Sequence, residues 1–295
     1  MGSPRQVYFD NNATTKVAPE VLDAMLPFFG DLYGNASSMH HFGGQVARYL
    51  QTAREEVAAL LNCDPGEIVF TSCGTESDNY AIRGTLEANK EKRHIVTTKV
   101  EHPAVLNLCK WLARDKGYRL TELSVDNQGN LNMEQVKAAL TPDTAIVSVM
   151  AANNESGTMF PIEQIGAKCR ELGIPLHTDA VQAAGKLPLD MKKLPVDLLA
   201  ISGHKLHAPK GIGVLYIRRG TLISPWMLGG HQERNRRAGT ENVPYIVGLG
   251  KACTLARENF VEEITKVRAL RDKLENGLLE RVPKVHINGN PQGLG

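Results

Sequence analysis

Glu67–Val100 reads EIVFTSCGTESDNYAIRGTLEANKEKRHIVTTKV. A short β-branched run, Glu67–Ser72, leads through a turn of small residues into an amphipathic stretch from Thr75 to about Asn89, and a second β-branched run follows at His94–Val100. Strand, helix and strand at this spacing form a βαβ crossover, the unit that pairs strands in parallel. The alternation continues outward. A helical pattern runs from Pro103 to about Asp115, and a strand from Leu120 to Val125. Further strands are expected at Thr144–Ala152, Pro175–Thr178, Asp197–Ser202 and Gly213–Arg218, with a helix at Ile162–Leu172 between two of them. The pattern predicts an α/β fold on a mainly parallel sheet covered by helices. Two long helical patterns flank it. One covers Gly43–Leu61; the other places Phe260, Ile264, Val267, Leu270, Leu274 and Leu278 at spacings of three and four, defining one apolar face. No repeat, low-complexity run or Pro/Ser-rich linker divides the chain, which reads as one α/β domain plus terminal segments.

The chain has 295 residues, of which 42% are hydrophobic and 22% charged, a composition that fits a soluble globular protein with a large core. Thirty-four Lys+Arg against 32 Asp+Glu leave a net charge of +2, so no global field marks a nucleic-acid or anionic-membrane partner, and neither is expected. No apolar run approaches the roughly 20 residues needed to span a bilayer, and MGSPRQVYFD at the N-terminus lacks an apolar signal core, which points to the cytoplasm. The cysteines, Cys63, Cys73, Cys109, Cys169 and Cys253, are scattered without a C-x-x-C pair, which argues against a disulfide framework or a zinc knuckle.

In an open parallel sheet, ligands bind beyond the carboxyl ends of the strands, and the residues there are unusually polar. After the first strand, Thr71-Ser72-Cys73-Gly74-Thr75-Glu76-Ser77 runs straight into a helix. Such a turn serves either as a phosphate cradle, through free N–H groups at the helix start, or as a capping box built from Thr75 and nearby acids. Glu101-His102-Pro103 puts a histidine at the next strand-to-helix corner, as a cap or as a ligand contact. Asn153 and Asn154 follow the Thr144–Ala152 strand. Thr178-Asp179-Ala180-Val181-Gln182 follows Pro175–His177, with Asp179 either capping the next segment or facing a cationic group.

The segment that decides the chemistry is Ile201-Ser202-Gly203-His204-Lys205-Leu206-His207-Ala208-Pro209-Lys210-Gly211. A lysine directly after an apolar strand is either a solvated loop residue or a crevice lysine with a depressed pKa, able to form a Schiff base with an aldehyde. The His204/His207 pair straddles a loop and has no evident third ligand, so no metal site is expected. A phosphate cradle, a ring to stack, a carboxylate, an amide and a Schiff-base lysine are together the parts that hold pyridoxal 5′-phosphate.

The chain also resembles a known family, the fold-type I, class V pyridoxal-phosphate enzymes, and specifically the cysteine desulfurases of the NifS/IscS type. The strings that carry the likeness include Tyr8-Phe9-Asp10-Asn11-Asn12-Ala13-Thr14-Thr15, Gly34-Asn35-Ala36-Ser37-Ser38, Phe70–Ser77, Val100-Glu101-His102-Pro103, Ala152-Asn153-Asn154-Glu155-Ser156-Gly157, His177–Gln182, Gly203-His204-Lys205, Gly229–Arg234 and Gly239-Thr240-Glu241-Asn242. They occur in family order from Val7 to about Val285. Ser72-Cys73-Gly74-Thr75 and His204–Lys210 look closer to the nitrogen-fixation branch than to the housekeeping one.

The resemblance implies that Lys205 carries the cofactor as a Schiff base and moves protons at the substrate α-carbon. His102 would stack on the ring and assist acid–base steps. Asp179 would keep the ring nitrogen protonated, Gln182 would bond the ring hydroxyl, and Asn154 would lie beside the cofactor. Gly74, Thr75, Ser202 and His204 would bind the phosphate, and Thr240 would reach the phosphate of a neighbouring subunit, which implies a homodimer. The implied reaction removes sulfur from L-cysteine to give L-alanine and an enzyme persulfide, for delivery to an iron–sulfur scaffold or another acceptor protein. A selenocysteine lyase, another class V enzyme or an inactive cofactor-binding fragment would share the same cofactor residues.

The implied organisation is a large cofactor-binding domain over residues 16–258, with small-domain segments at 1–15 and 259–295. The family's sulfur-accepting cysteine and substrate-carboxylate arginine lie near the C-terminus. No cysteine here matches that loop, Cys73 falls within the phosphate turn, and Arg234-Asn235-Arg236-Arg237 reads as a solvated basic loop. The resemblance therefore implies a chain cut before its small domain is complete.

Overall fold

The computed structural model describes residues 6–290. Its elements run in chain order as α1 (Pro19–Met25), α2 (His41–Leu61), β1 (Ile68–Thr71), α3 (Gly74–Ala88), β2 (His94–Thr98), α4 (Pro103–Lys116) and β3 (Arg119–Leu123). Then come α5 (Met133–Ala139), β4 (Thr144–Ser148), α6 (Ile162–Glu171), β5 (Leu176–Asp179), β6 (Leu198–Ser202) and β7 (Gly213–Ile217). A single turn, α7 (Gln232–Asn235), precedes the two C-terminal helices, α8 (Val243–Glu258) and α9 (Phe260–Arg281).

The strands form one sheet in the order β1-β7-β6-β5-β4-β2-β3. Five neighbouring strands, from β6 to β3, pair in parallel, while β7 runs against both β6 and β1. The expected mainly parallel sheet is present, and β7 is its reversed member. Because β7 alone is reversed, the carboxyl ends of β1, β2, β4, β5 and β6 share one edge with the start of β7. Gly213 there pairs with both Thr71 and Ser202.

Alternation along the strands divides two apolar layers. Val69, Ile95, Ile146, Leu198 and Leu215 face α3 and α4, whereas Phe70, Val96, Val147, Leu199, Ile201 and Val214 pack with α2 and α8. Helix α8 shows no clean apolar stripe and was not anticipated from the sequence pattern. It is wedged between α1 and α2, and its glycines are contact points: a Cβ on Gly248 would meet Met25 Sδ at 2.7 Å, and one on Gly250 would meet Ala53 Cα at 2.7 Å. Short α1 and α5 likewise lie outside the anticipated elements. Helix α9 forms as expected, but among the described residues its apolar face is left open: Val267, Leu270 and Leu274 are each more than half exposed. Among the described residues, no helix is long and apolar enough to cross a membrane.

Candidate active site

The carboxyl edge of the sheet opens into a cavity of about 470 Å³. Its lining includes Gly74, Thr75, His102, Asn154, Asp179, Gln182, Ser202, His204 and Lys205. Nine of the ten residues singled out from the sequence thus meet in one place. The tenth, Thr240, is exposed on the loop before α8 and does not border this cavity.

The turn after β1 is built to leave backbone donors free. Cys73 precedes α3 in extended backbone and offers no side-chain cap, so the first N–H groups of a 15-residue helix are open. The capping-box alternative is thereby narrowed: Glu76 reaches back to the Ser72 N–H at 2.6 Å, while the amides of Gly74 and Thr75 stay uncapped. Burial opposes the charge on Glu76, but hydrogen bonds from Arg237 and Ser72 outweigh it and hold the carboxyl below its ordinary value. Arg237 is therefore an ion-pair partner at 2.9 Å, and Arg236 donates to the Gly66 carbonyl at 3.3 Å. The solvated basic loop expected at Arg234–Arg237 is corrected for Arg236 and Arg237, which are held on either side of β1, while Arg234 is exposed as expected. Glycine at position 74 is required by space: a Cβ would stand 2.9 Å from Val181 Cγ2 and 3.3 Å from Ser202 Cβ. Gly213 backs the same turn, where a Cβ would meet the Cys73 carbonyl carbon at 2.6 Å.

His102 caps α4, its Nδ1 accepting the Ala104 N–H at 3.2 Å, which leaves Nε2 to carry the ring hydrogen. It also borders the cavity, so cap and ligand contact coexist in one side chain. Asp179 ends β5, is buried, and accepts the Val181 N–H at 2.9 Å. Burial, followed by the nearby Asp78, pushes its carboxyl up to about 7. A cationic group entering the cavity would restore its charge. Gln182 donates through Nε2 to the Asn12 carbonyl at 2.9 Å and accepts from Lys186 at 3.1 Å, which orients its amide.

Lys205 follows β6 in a short 3₁₀ turn and is half-buried. Its Nζ donates to the carbonyls of Asn12 and Ala13, the latter at 2.8 Å. Burial lowers its ammonium from the ordinary value against the opposing pull of Asp10 and Asp179. An amine so placed loses its proton more readily than a surface lysine and becomes a competent nucleophile. Burial, with the positive charges of Lys205 and Lys210, also lowers His204. The two histidines of this loop are separately engaged: His204 Nδ1 lies 3.1 Å from Thr14 Oγ1, and His207 Nδ1 lies 2.9 Å from the Lys16 carbonyl. Among the described residues, no group of three His, Cys, Asp or Glu side chains is placed to hold a metal.

Several lining residues escaped the sequence reading of the strand ends. Residues 10–15 form a strap over Lys205, fastened by the Thr15 N–H to the His204 carbonyl at 2.9 Å, which brings Asp10, Asn12 and Ala13 to the cavity. Asp78 reaches the site from inside α3, one residue beyond the Thr71–Ser77 turn. Of the five cysteines, only Cys73 borders the cavity, whereas burial pushes Cys63, Cys109, Cys169 and Cys253 each up to about 12.

The family model for class-V aminotransferases matches residues 7–293. A cysteine desulfurase of Trichormus azollae is 59% identical over 284 residues, covering 96% of this chain and 71% of that protein. The cysteine desulfurase NifS of Azotobacter vinelandii is 54% identical, covering 97% and 71%. Among solved structures, a NifS-like protein superposes with a TM-score of 0.91 at 43% identity, covering 94% of this chain and 76% of that one. A structure titled SspA in complex with cysteine gives 0.81 at 39% identity, covering 88% and 78%. With its lysine, buried aspartate and open helix start on one sheet edge, and with these relatives across nearly its whole length, the chain belongs to the class-V aminotransferase family and, within it, to the cysteine desulfurases of the NifS/IscS type.

Proposed function

We propose that this chain is a pyridoxal 5′-phosphate-dependent cysteine desulfurase, converting L-cysteine and an acceptor thiol into L-alanine and the acceptor's persulfide. The observation that carries the reading is the juxtaposition of half-buried Lys205 with buried Asp179 across a cavity whose third wall is the uncapped start of α3. The residues fit the cofactor. Gly74 and Thr75 amides with Ser202 and His204 would hold its phosphate, Asp179 its ring nitrogen, Gln182 its ring hydroxyl and Lys205 its aldehyde, with His102 over the ring and Asn154 beside it. When bound, the cofactor supplies an electron sink at the substrate α-carbon.

The chain's own groups do the rest. The lowered pKa of Lys205 lets it hold and return a proton at that carbon. Asp179, once ionised beside a cationic ring nitrogen, keeps that nitrogen protonated. The strap at residues 10–15 narrows access to Lys205 and restricts water there. Sulfur leaves the substrate for a thiolate, a role for which the four cysteines with raised pKa values are unsuited.

The reading extends to the assembly and its biology. Exposed Phe29, Tyr33, Met39 and Phe42 around α1 and the start of α2, with Tyr33 and Phe42 rings 6.0 Å apart, support a homodimer in which Thr240 serves the neighbouring cavity. The relatives' names support L-cysteine as substrate; on this reading the sulfur is delivered to iron–sulfur or nitrogenase assembly, in the cytoplasm. Residues 16–258 would form the large domain, and 1–15 with 259–295 segments of the small one.

The test is direct. Protein incubated with the cofactor should become yellow and should form alanine from cysteine in the presence of a thiol. Lys205→Ala should lose both the visible band and turnover while keeping its circular dichroism. A variant that retains the band overturns the lysine assignment, and a strong preference for selenocysteine overturns the substrate assignment.

A further inference from the structure

Beneath the cavity lies a buried acid that the reaction scheme above does not use. Asp78, on α3, is 1% exposed, yet it borders the cavity. Its Oδ1 stands 3.4 Å from Nε2 of His177, on β5, and neither atom has a hydrogen-bond partner. His177 is fully buried, with Nδ1 2.8 Å from Ser148 Oγ on β4. His177 and Asp179 are two residues apart on one strand, so both side chains leave the same face, the one against which α3 packs.

A carboxyl oxygen and an imidazole nitrogen facing each other in a dry interior need one proton between them, because two bare acceptors repel. Carboxylate with imidazolium would bury two charges, a costly arrangement. A carboxylic acid donating to a neutral imidazole buries none. Burial favours the second form, pushing Asp78 up to about 8 and His177 down to about 4. The hydroxyl of Ser148 then accepts the hydrogen on Nδ1.

Among the described residues, the titratable groups beside this pair include Asp179, Glu101 and the buried thiol of Cys109. Glu101 is buried beside it and pushed up to about 8, first by burial, although the Thr98 hydroxyl and the Met150 N–H donate to it. Charge on Asp78 is one of the causes that raise Asp179. Removing that charge lets Asp179 ionise with the Val181 N–H, the nearby His102 and the incoming cation to stabilise it.

We propose that Asp78 is a positioning residue: it stays a neutral acid with its proton directed to His177 Nε2, so that Asp179 is the ionised carboxylate presented to the cofactor ring. The inference rests on the reading of Asp179 as partner of the ring nitrogen.

The experiment uses the cofactor-loaded protein carrying isotope-labelled aspartate, histidine and cofactor. Infrared spectra at neutral pH should show a label-sensitive carboxylic-acid C=O band that is lost in Asp78→Asn, a substitution that still donates to His177. Nuclear magnetic resonance should find His177 neutral, with its hydrogen on Nδ1. The ring nitrogen should stay protonated in Asp78→Asn and lose its proton in Asp179→Asn. Absence of the acid band, an imidazolium at His177, or a ring nitrogen that deprotonates in Asp78→Asn each overturns the proposal. A ring nitrogen still protonated in Asp179→Asn overturns the Asp179 reading instead, and the infrared band separately decides the state of Asp78. Should Asp78→Asn fail to fold, the wild-type infrared and histidine spectra still decide.

Discussion

The loop carrying Arg237 and Thr240 is held by one buried ion pair, and breaking it should be costly. Arg54, on α2, donates through Nη2 and Nη1 to the two Glu233 oxygens at 2.6 and 2.8 Å, and through Nη1 to the Ile68 carbonyl at 2.8 Å. Its guanidinium also lies 4.6 Å from the Phe70 ring centroid. Glu233 Oε2 takes one further bond, from the Phe70 N–H at 3.0 Å. Both residues are buried. Arg54→Met would leave a buried carboxylate with a single donor, a change that costs about 3–5 kcal/mol. The clamp also works against backbone strain, since Glu233, Arg234 and Asn235 sit at φ of 45°, 56° and 65°. Left-handed backbone costs roughly 1–2 kcal/mol per ordinary residue, so the loop relaxes once released and returns part of the loss. We therefore expect urea denaturation to show about 3 kcal/mol of destabilisation in Arg54→Met, and faster tryptic cleavage within Arg234–Arg237. The double variant Arg54→Met/Glu233→Met, which removes both charges, should recover most of the stability. Single changes that add within about 0.5 kcal/mol, with no recovery in the double variant, would refute the reasoning.

Gly74→Ala should overpack the turn before α3 by about 1–3 kcal/mol, given contacts of 2.9 Å to Val181 and 3.3 Å to Ser202. Cofactor titration should then show affinity lowered by about tenfold or more; an unchanged affinity would remove Gly74 from the phosphate site. Asp78 holds its proton up to about pH 8 in the fold but releases it near 3.8 when exposed. The folded state thus binds the extra proton between those values, and stability falls as pH rises through them. Asp78→Asn, neutral throughout, should gain stability relative to the parent across that window in denaturation of the cofactor-free protein; a constant difference would show that Asp78 is ionised in the fold. Cys73→Ala should retain thiol-dependent sulfide release, because Cys73 shapes a turn; complete loss would make Cys73 the sulfur acceptor.

The strands and the helices beside them were legible within a few residues, because buried strands read as short, largely apolar runs whatever their direction. Direction was less legible. The link from Ser202 to Gly213 is too short for the dozen or more residues that a parallel crossover needs, and that spacing was the available signal for the reversed β7. Helix α8 hid because Gly248 and Gly250 weaken its apparent propensity and its several buried sides erase the stripe. Asp78 hid for another reason. Attention to strand ends misses a residue that reaches the site from inside a helix, and nothing in GTESD separates an inward aspartate from a solvated one. The α9 stripe was read correctly as apolar, but periodicity does not name what it packs against.

The reversal of β7 explains why this edge of the sheet holds a lysine at all. After β1, β2 and β4 the chain leaves the edge promptly, into the crossover segments that hold α3, α4 and α6. After β6 it must stay, because β7 starts at the same edge and pairs back along β6. The intervening loop is pinned at both ends, by Gly203 N–H to the Ile212 carbonyl at 3.0 Å and by the Thr15 and Ala18 N–H groups on the His204 and His207 carbonyls. Lys205 is thus confined over the strand ends by the topology, with its amine capped by carbonyls from residues 12 and 13 that an incoming aldehyde must displace. The same geometry places Gly213 under the turn that leads into α3. One reversed strand therefore couples the lysine to the turn proposed above as the phosphate cradle. A larger side chain at Gly213 should disturb both together, lowering cofactor affinity and slowing Schiff-base formation in parallel, and a variant that changed one without the other would break this link.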